Sequence, residues 1–245
     1  MTTAPAFTRT TTVAVIMSQL MTELGLVTPT TFIGNADQNS QQILSLFTSA
    51  GQDLCLANDW QLLHKEFTIV TDGVSTLYPV PADFADFVSG AFWNNTSRLP
   101  VIGPLTPQIW RLLKARLLGG NTISVQYRMI NNNVEFYFAP GAGQTIITDY
   151  YSRGWILQAD NVTYRDNPAS DDDTCLFDIR LIVPFTKLRW RESKGFDTTA
   201  AKQEFENAWE LVTGRDIPGA TLSVSPSMQY PYLGYINMPD TNYGS

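Results

Sequence analysis

Apolar side chains at Val13, Ile16, Met17, Leu20 and Leu24 recur every three or four positions, the spacing of one helix face. Threonines stand before them to act as an N-cap, and Gly25 stands after them as a stop. A turn-prone loop fills residues 25–37. Ile43, Phe47, Ala50, Leu54 and Ala57 then form a second stripe, predicting a helix capped near Asp37 or Asn39 that ends around Asn58-Asp59-Trp60.

Past Trp60 the apolar period falls to two. Residues 67–71, then Asp72-Gly73, then residues 74–78 read as a hairpin, because Asp-Gly suits a type I′ turn that matches strand twist. Pro79 and Pro81 close it, and residues 84–93 make another strand or an irregular edge. Thr106-Pro107 places an N-cap before proline at the first helical position, where a missing N–H costs nothing. Ile109, Trp110, Leu113 and Leu117 give that helix its apolar face, and Gly119-Gly120 end it. Residues 122–129, 134–138 and 145–151 predict three strands, joined by Asn131-Asn132-Asn133 and by 140–143 into a meander. The last third returns to helix. Asp178 caps a stretch through Leu181, Phe185 and Leu188 to Gly195, with Pro184 kinking its start. Asp197 or Thr198 opens a final helix through Ala201, Phe205, Ala208, Trp209 and Val212, stopped by Gly214.

This order predicts an α+β fold: a bundle formed by N-terminal and C-terminal helices (residues 1–64 and 170–215) with an inserted antiparallel β-rich domain (65–169). An extended C-terminal arm (216–245) completes it. From Arg215 onward the chain holds four prolines, four tyrosines and two methionines with almost no charge. Prolines at that density exclude a helix or a central strand. Only residues 220–224 alternate as a strand would. Yet Tyr230, Tyr232, Leu233, Tyr235, Met238 and Tyr243 are residue types that interface cores favour. The arm is expected to order on a partner's surface, which points to an assembly protein.

Composition sharpens that picture. Only 16% of residues are charged, below the usual quarter, as fits a chain that hides surface in an oligomer. A net charge of −7 argues against gripping nucleic acid through phosphate neutralisation, though not against DNA sliding past. Cys55 and Cys175 read as two buried thiols of a cytosolic protein in preference to a disulfide. The N-terminus lacks a basic segment followed by an apolar one, and no apolar run approaches the ~18 residues of a membrane span. The sequons at Asn94 and Asn161 therefore carry no weight.

Chemistry is sparse. His64 is the only histidine, and no G-x-S-x-G elbow accompanies it, so no catalytic residue is assigned. Asp171-Asp172-Asp173 offers oxygen ligands for a hard cation, but helix-start electrostatics explain carboxylates there equally well, and the spacing is not that of an EF-hand. No metal site and no cofactor are expected. Gly141-Ala142-Gly143-Gln144 has no lysine nearby and reads as a turn. Lys187, Arg191 and Lys194 share one helical face, with Arg189 and Trp190 between them; nucleic-acid contact is one reading of such a stripe, but with Glu192 interleaved it is expected to make subunit contacts or to stay solvated.

Several blocks occur together in a set order: Asn58-Asp59-Trp60; residues 78–84 (YPVPADF); 99–107 (LPVIGPLTP); 150–155 (YYSRGW); and 171–174 (DDDT) leading to 188–191 (LRWR) with Lys194-Gly195. Over roughly residues 40–215 they resemble the head-to-tail adaptors of tailed phages, the family that includes tail tubular protein A of short-tailed phages. The arm and the first helix fall outside that resemblance. The resemblance implies a non-enzymatic ring, usually of about twelve subunits, in the virion neck, assembled in the host cytoplasm. Its helical bundle would face the portal protein and its β-domain the tail nozzle protein. Viral DNA would pass through without sequence-specific binding, no membrane would be involved, and the C-terminal extension would grip the portal. The alternative is a virion or tail-surface protein that recognises a glycan or protein through Trp93, Phe136 and Tyr151 on the β-domain.

Overall fold

A computed structural model describes residues 10–116 and 125–216 of the chain. A two-residue strand β1 (Thr11–Thr12) leads into helices α1 (Val13–Glu23) and α2 (Gln38–Ala57). Strands β2 (His64–Val70), β3 (Leu77–Pro79), β4 (Phe84–Phe87), β5 (Trp93–Asn94) and β6 (Leu99–Pro100) follow, then helix α3 (Pro107–Arg116). Strands β7 (Tyr127–Ile130), β8 (Asn133–Phe136), β9 (Thr145–Ser152), β10 (Ile156–Leu157), β11 (Tyr164–Arg165) and β12 (Thr174–Cys175) precede the closing helices α4 (Ile179–Lys194) and α5 (Thr199–Asp216). The described chain is α+β, with antiparallel sheets between two pairs of helices. The arm residues Tyr230, Tyr232, Leu233, Tyr235, Met238 and Tyr243, the strand expected at 220–224 and the helix end at 117–120 lie outside the described residues.

The helix signals act as the sequence suggests. Asp37 accepts a hydrogen bond from the Ser40 N–H at 2.9 Å and starts α2; Asp178 accepts from the Arg180 N–H at 2.8 Å and starts α4. Gly195, at φ +71°, supplies the left-handed C-cap of α4. Pro184 sits fully inside α4, which stays continuous. Gly214 does not stop α5, which runs on to Asp216.

Two cores result. The first gathers Val13, Ile16, Met17 and Leu20 of α1, Ile43, Phe47 and Leu54 of α2, and Leu181 and Ile182 of α4 around Trp60, Trp155 and Phe177. Trp60 is fully buried, donates its indole N–H to the Leu54 carbonyl at 2.6 Å, and meets Phe177 and Trp209 edge-on. Gly51 is the point of closest approach in α2: a Cβ there would lie 2.2 Å from the Trp155 ring, so only glycine admits that indole. Trp155 and Ile156 thus pack in the helical core although Trp155 lies in the short link after β9 and Ile156 opens β10. The second core joins Ile69, Phe92, Val101, Tyr127, Val134, Phe136 and Ile146.

Strand pairing departs from the sequence reading in two places. Residues 67–71 and 74–78 do not form a hairpin. β2 pairs with β9 over its whole length, from His64↔Tyr151 to Val70↔Thr145, while β3 pairs with β8. The cause lies in Asp72, whose carboxylate accepts from the Val74 and Ser75 N–H groups and from the Ser75 hydroxyl. That side-chain-closed turn sends the chain out of the sheet. Nor do the three later strands form a meander. β7 and β8 do make a hairpin, with Asn131 and Asn132 at φ +47° and +59° as a two-residue turn demands. β9 instead leaves β8 and becomes the centre of another sheet, with β2 on one side and β4 and β5 on the other.

Candidate functional site

The sequence blocks 78–84 and 150–155 meet at one carboxylate. In the first block, Pro79 and Pro81 end β3, and the Phe84 N–H closes on the Pro81 carbonyl at 3.1 Å, which holds Asp83 at the start of β4. In the second, the alternation of β9 turns Tyr150 and Ser152 to its buried face. Lys65 stands opposite Tyr150 on β2. Asp83 therefore accepts from the Lys65 ammonium at 2.6 Å, the Ser152 hydroxyl at 2.7 Å and the Tyr150 hydroxyl at 3.0 Å. Arg153 completes the clamp: its N–H donates to the Asp83 carbonyl and its guanidinium to the Ala82 carbonyl, both at 2.8 Å.

Lys65 also lies 3.6 Å from the centroid of the Tyr164 ring on β11, so the hub reaches from the β-core to a strand beside the helical core. A cleft of about 770 Å3 opens there, lined by Lys65, Asp83, Tyr150, Arg153, Tyr164 and Asp166. Ser152 donates its hydroxyl to Asp83 and accepts from the Gly154 N–H at 3.0 Å. His64 sits exposed at the start of β2, its Nε2 3.9 Å from Asp149. The hub thus ties β2, the start of β4 and the end of β9 together through one carboxylate.

Burial pushes the Asp83 carboxyl up, but Lys65 and the hydroxyls of Ser152 and Tyr150 outweigh it and hold the group below its ordinary value. Burial and the Asp83 charge together push the Tyr150 phenol up. A depressed carboxyl contributes stability above its unfolded pKa, near ~3.9, and loses it as pH falls through the folded value. Asp83→Asn is thus expected to cost about 1–3 kcal/mol at neutral pH. Thermal midpoints measured between pH 7 and pH 2.5 should show that gap close in acid, where the wild-type carboxyl is itself protonated; a gap that is constant with pH would refute the charge assignment.

The acidic run is committed to backbone donors. The Asp171 carboxylate accepts from the Phe32 and Ile33 N–H groups, both at 2.9 Å. Asp173, 1% exposed, accepts from the N–H groups of Ala169 (2.7 Å), Ser170 (2.9 Å) and Ala159 (3.2 Å). The carbonyls of Asp173 and Asp171 take up the first N–H groups of α1, on Val13 and Ala14. The run therefore serves the start of α1 and the loop before α2, whereas the start of α4 belongs to Asp178. Among the described residues no cluster of His, Cys, Asp and Glu suits a metal ion. Cys55 and Cys175 are free thiols, and burial pushes both up to about 12.

Of the basic stripe, Lys187 is engaged within the chain: its ammonium meets Glu23 at 3.1 Å and Glu204 at 3.2 Å, tying α4 to α1 and α5. Arg189 binds Ser49 and Asp53 of α2 and covers the Phe185 ring. Arg191 is half-buried and Lys194 exposed at the end of α4. The aromatic trio splits: Trp93 and Tyr151 lie on the outer face of the β9 sheet, whereas Phe136 is buried against Tyr78.

Both cores, the Asp83 hub and the Asp171–Asp173 latch lie within residues 11–224, which the model of the SU10 adaptor protein family matches. The chain belongs to the SU10 adaptor protein family. It is thus an adaptor-type structural protein of a phage. The SU10 adaptor match takes in α1, which the sequence blocks left out, and ends before the tyrosine-rich stretch 228–243. No curated protein matches the sequence.

Proposed function

We propose that this SU10 adaptor assembles as a ring of about twelve copies between the portal and the tail nozzle, in the manner of tail tubular protein A. The observation that carries this reading is the family match across both cores. A cyclic ring uses two different faces of each subunit, which suits a chain with only 16% charged residues. With a net charge of −7 on each copy, the ring is strongly acidic, and DNA passes it without adhering because few cations are there to displace its counterions. The C-terminal arm binds the portal through Tyr230, Tyr232, Leu233, Tyr235, Met238 and Tyr243, ordering as it docks. Arg191 and Lys194 remain available for contact with a neighbouring subunit.

Electron cryomicroscopy of particles carrying a tagged copy of the chain tests the placement. The tag should decorate a ring at the junction of head and tail. Decoration of the capsid shell or the tail periphery would reject the adaptor position.

A further inference from the structure

Net charge hides an uneven distribution. Between Asp86 and Glu135 the sequence has no acidic residue but carries Arg98, Arg111, Lys114, Arg116 and Arg128. Helix α3 sits in that stretch, anchored inward by Trp110, which is 2% exposed, and by the Tyr137 hydroxyl on the Leu113 carbonyl at 2.8 Å. Its outward side leaves Ile109 and Leu112 at 44% and 46% exposure, beside an exposed Arg111 and the half-exposed Lys114, whose ammonium lies 3.9 Å from Glu135 of its own chain. Apolar side chains at i and i+3 flanked by cations make a helix suited to a groove with an apolar floor and an acidic rim.

The helical half of the chain has such a groove, about 380 Å3, between α2, α4 and α5. Leu54, Ala57, Phe185, Phe205 and Trp209 form its floor. Phe185 and Phe205 stack there with centroids 4.5 Å apart. Asp53, Glu206 and Glu210 stand on its rim. Asp53 is paired with Arg189, but Glu206 and Glu210 are exposed and form no salt bridge among the described residues. DNA would be repelled by that rim. The C-terminal segment 217–245 has no lysine or arginine to answer it. A second copy of this chain offers both the apolar ridge and the cations.

We propose that α3 of one copy seats in the α2–α4–α5 groove of the next, with Ile109 and Leu112 on the aromatic floor and Arg111 and Lys114 facing Glu206 and Glu210. The contact joins two different surfaces and is therefore heterologous, the kind that closes into a ring. It rests on the ring reading and gives that ring its interface.

Sedimentation velocity on the full-length chain, at low and at moderate salt, tests it. The wild type should self-associate, and more weakly as salt rises. Arg111→Glu with Lys114→Glu, and separately Glu206→Lys with Glu210→Lys, should each weaken association by at least about tenfold. A chain carrying all four changes should recover, because the charges match again with reversed sign; circular dichroism checks that each variant is folded. A wild type that stays monomeric, a double variant that associates normally, or a fourfold variant that fails to recover overturns the contact. Loss of association on removing residues 217–245 would hand the groove to the C-terminal segment and overturn it as well. If the tag still marks the neck while the reversals change nothing, the adaptor position stands and this interface falls.

Discussion

Replacing Asp173 with alanine is expected to lower the thermal midpoint by about 10 °C. Its carboxylate is buried and takes three backbone N–H groups, those of Ala159, Ala169 and Ser170. Removal leaves these donors without a partner in a site too enclosed for water to replace it fully. An orphaned buried donor costs about 1–3 kcal/mol, so the sum is about 3–5 kcal/mol after partial relaxation. For a domain of this size each kcal/mol moves the midpoint by about 2–4 °C. Asp172→Ala is the control: Asp172 is exposed, and its loss should stay within about 0.5 kcal/mol. Differential scanning calorimetry on both variants, with and without a chelator, decides between a backbone latch and a cation site. Equal small effects of the two substitutions would sink the latch. A wild-type midpoint that falls with chelator as far as it does in Asp173→Ala would restore a metal to the run.

The helices were legible in the sequence because their signals are local. An apolar stripe, an N-cap aspartate and a C-cap glycine lie within one element, and Asp37, Asp178 and Gly195 do what their positions suggest. Sheet partners were not legible, since a strand's alternation reveals its buried face but not its neighbour. Asn131-Asn132 and Asp72-Gly73 illustrate the difference. Both are two-residue turn signals between apolar runs. At the first, both residues take positive φ and the flanking strands pair directly. At the second, only Gly73 does so, at φ +83°, and the Asp72 side chain closes the turn in place of the backbone.

The Asp83 hub was hidden for a related reason. Its block stood out in the sequence, but its hydroxyl donors Tyr150 and Ser152 lie 67 and 69 residues away and were visible only as a second, separate block. The partners of Lys187 within the chain were hidden by its length: a helical wheel places it beside Arg191 and Lys194, and its flexible stem reaches carboxylates on two neighbouring helices. The cations of α3, Arg111, Lys114 and Arg116, are grouped as closely as those of α4, but they lie in a long acid-free stretch between Asp86 and Glu135. The revealing signal was the missing acids, not the local density of bases.

Truncation after Asp216 is expected to separate folding from assembly. The described body closes its own cores: Trp209 and Val212 of α5 pack on the helical core, and the Asp216 carboxylate accepts from the Gln61 N–H at 3.0 Å. Both ends of that contact survive the cut, so the thermal midpoint should move by no more than about 2 °C. Attachment is another matter. The removed stretch carries four tyrosines and two methionines, and buried aromatic anchors at interfaces cost about 2 kcal/mol or more each when truncated. Loss of two such anchors already amounts to about a hundredfold or more in affinity, and loss of the whole set should abolish binding at any practical concentration. The measurement is complementation in vitro: purified chain is added to DNA-filled, portal-bearing heads that lack tails, and bound protein and plaque titre are both counted. Wild-type chain should restore titre, the truncated chain should neither bind nor restore it, and a Tyr230→Ala, Tyr232→Ala, Tyr235→Ala variant should fall between. Normal head binding by the truncated chain would remove the arm from the portal contact. Normal head binding with titre still lost would move the arm's partner to the tail side, because the only step then failing is the one that follows docking on the portal.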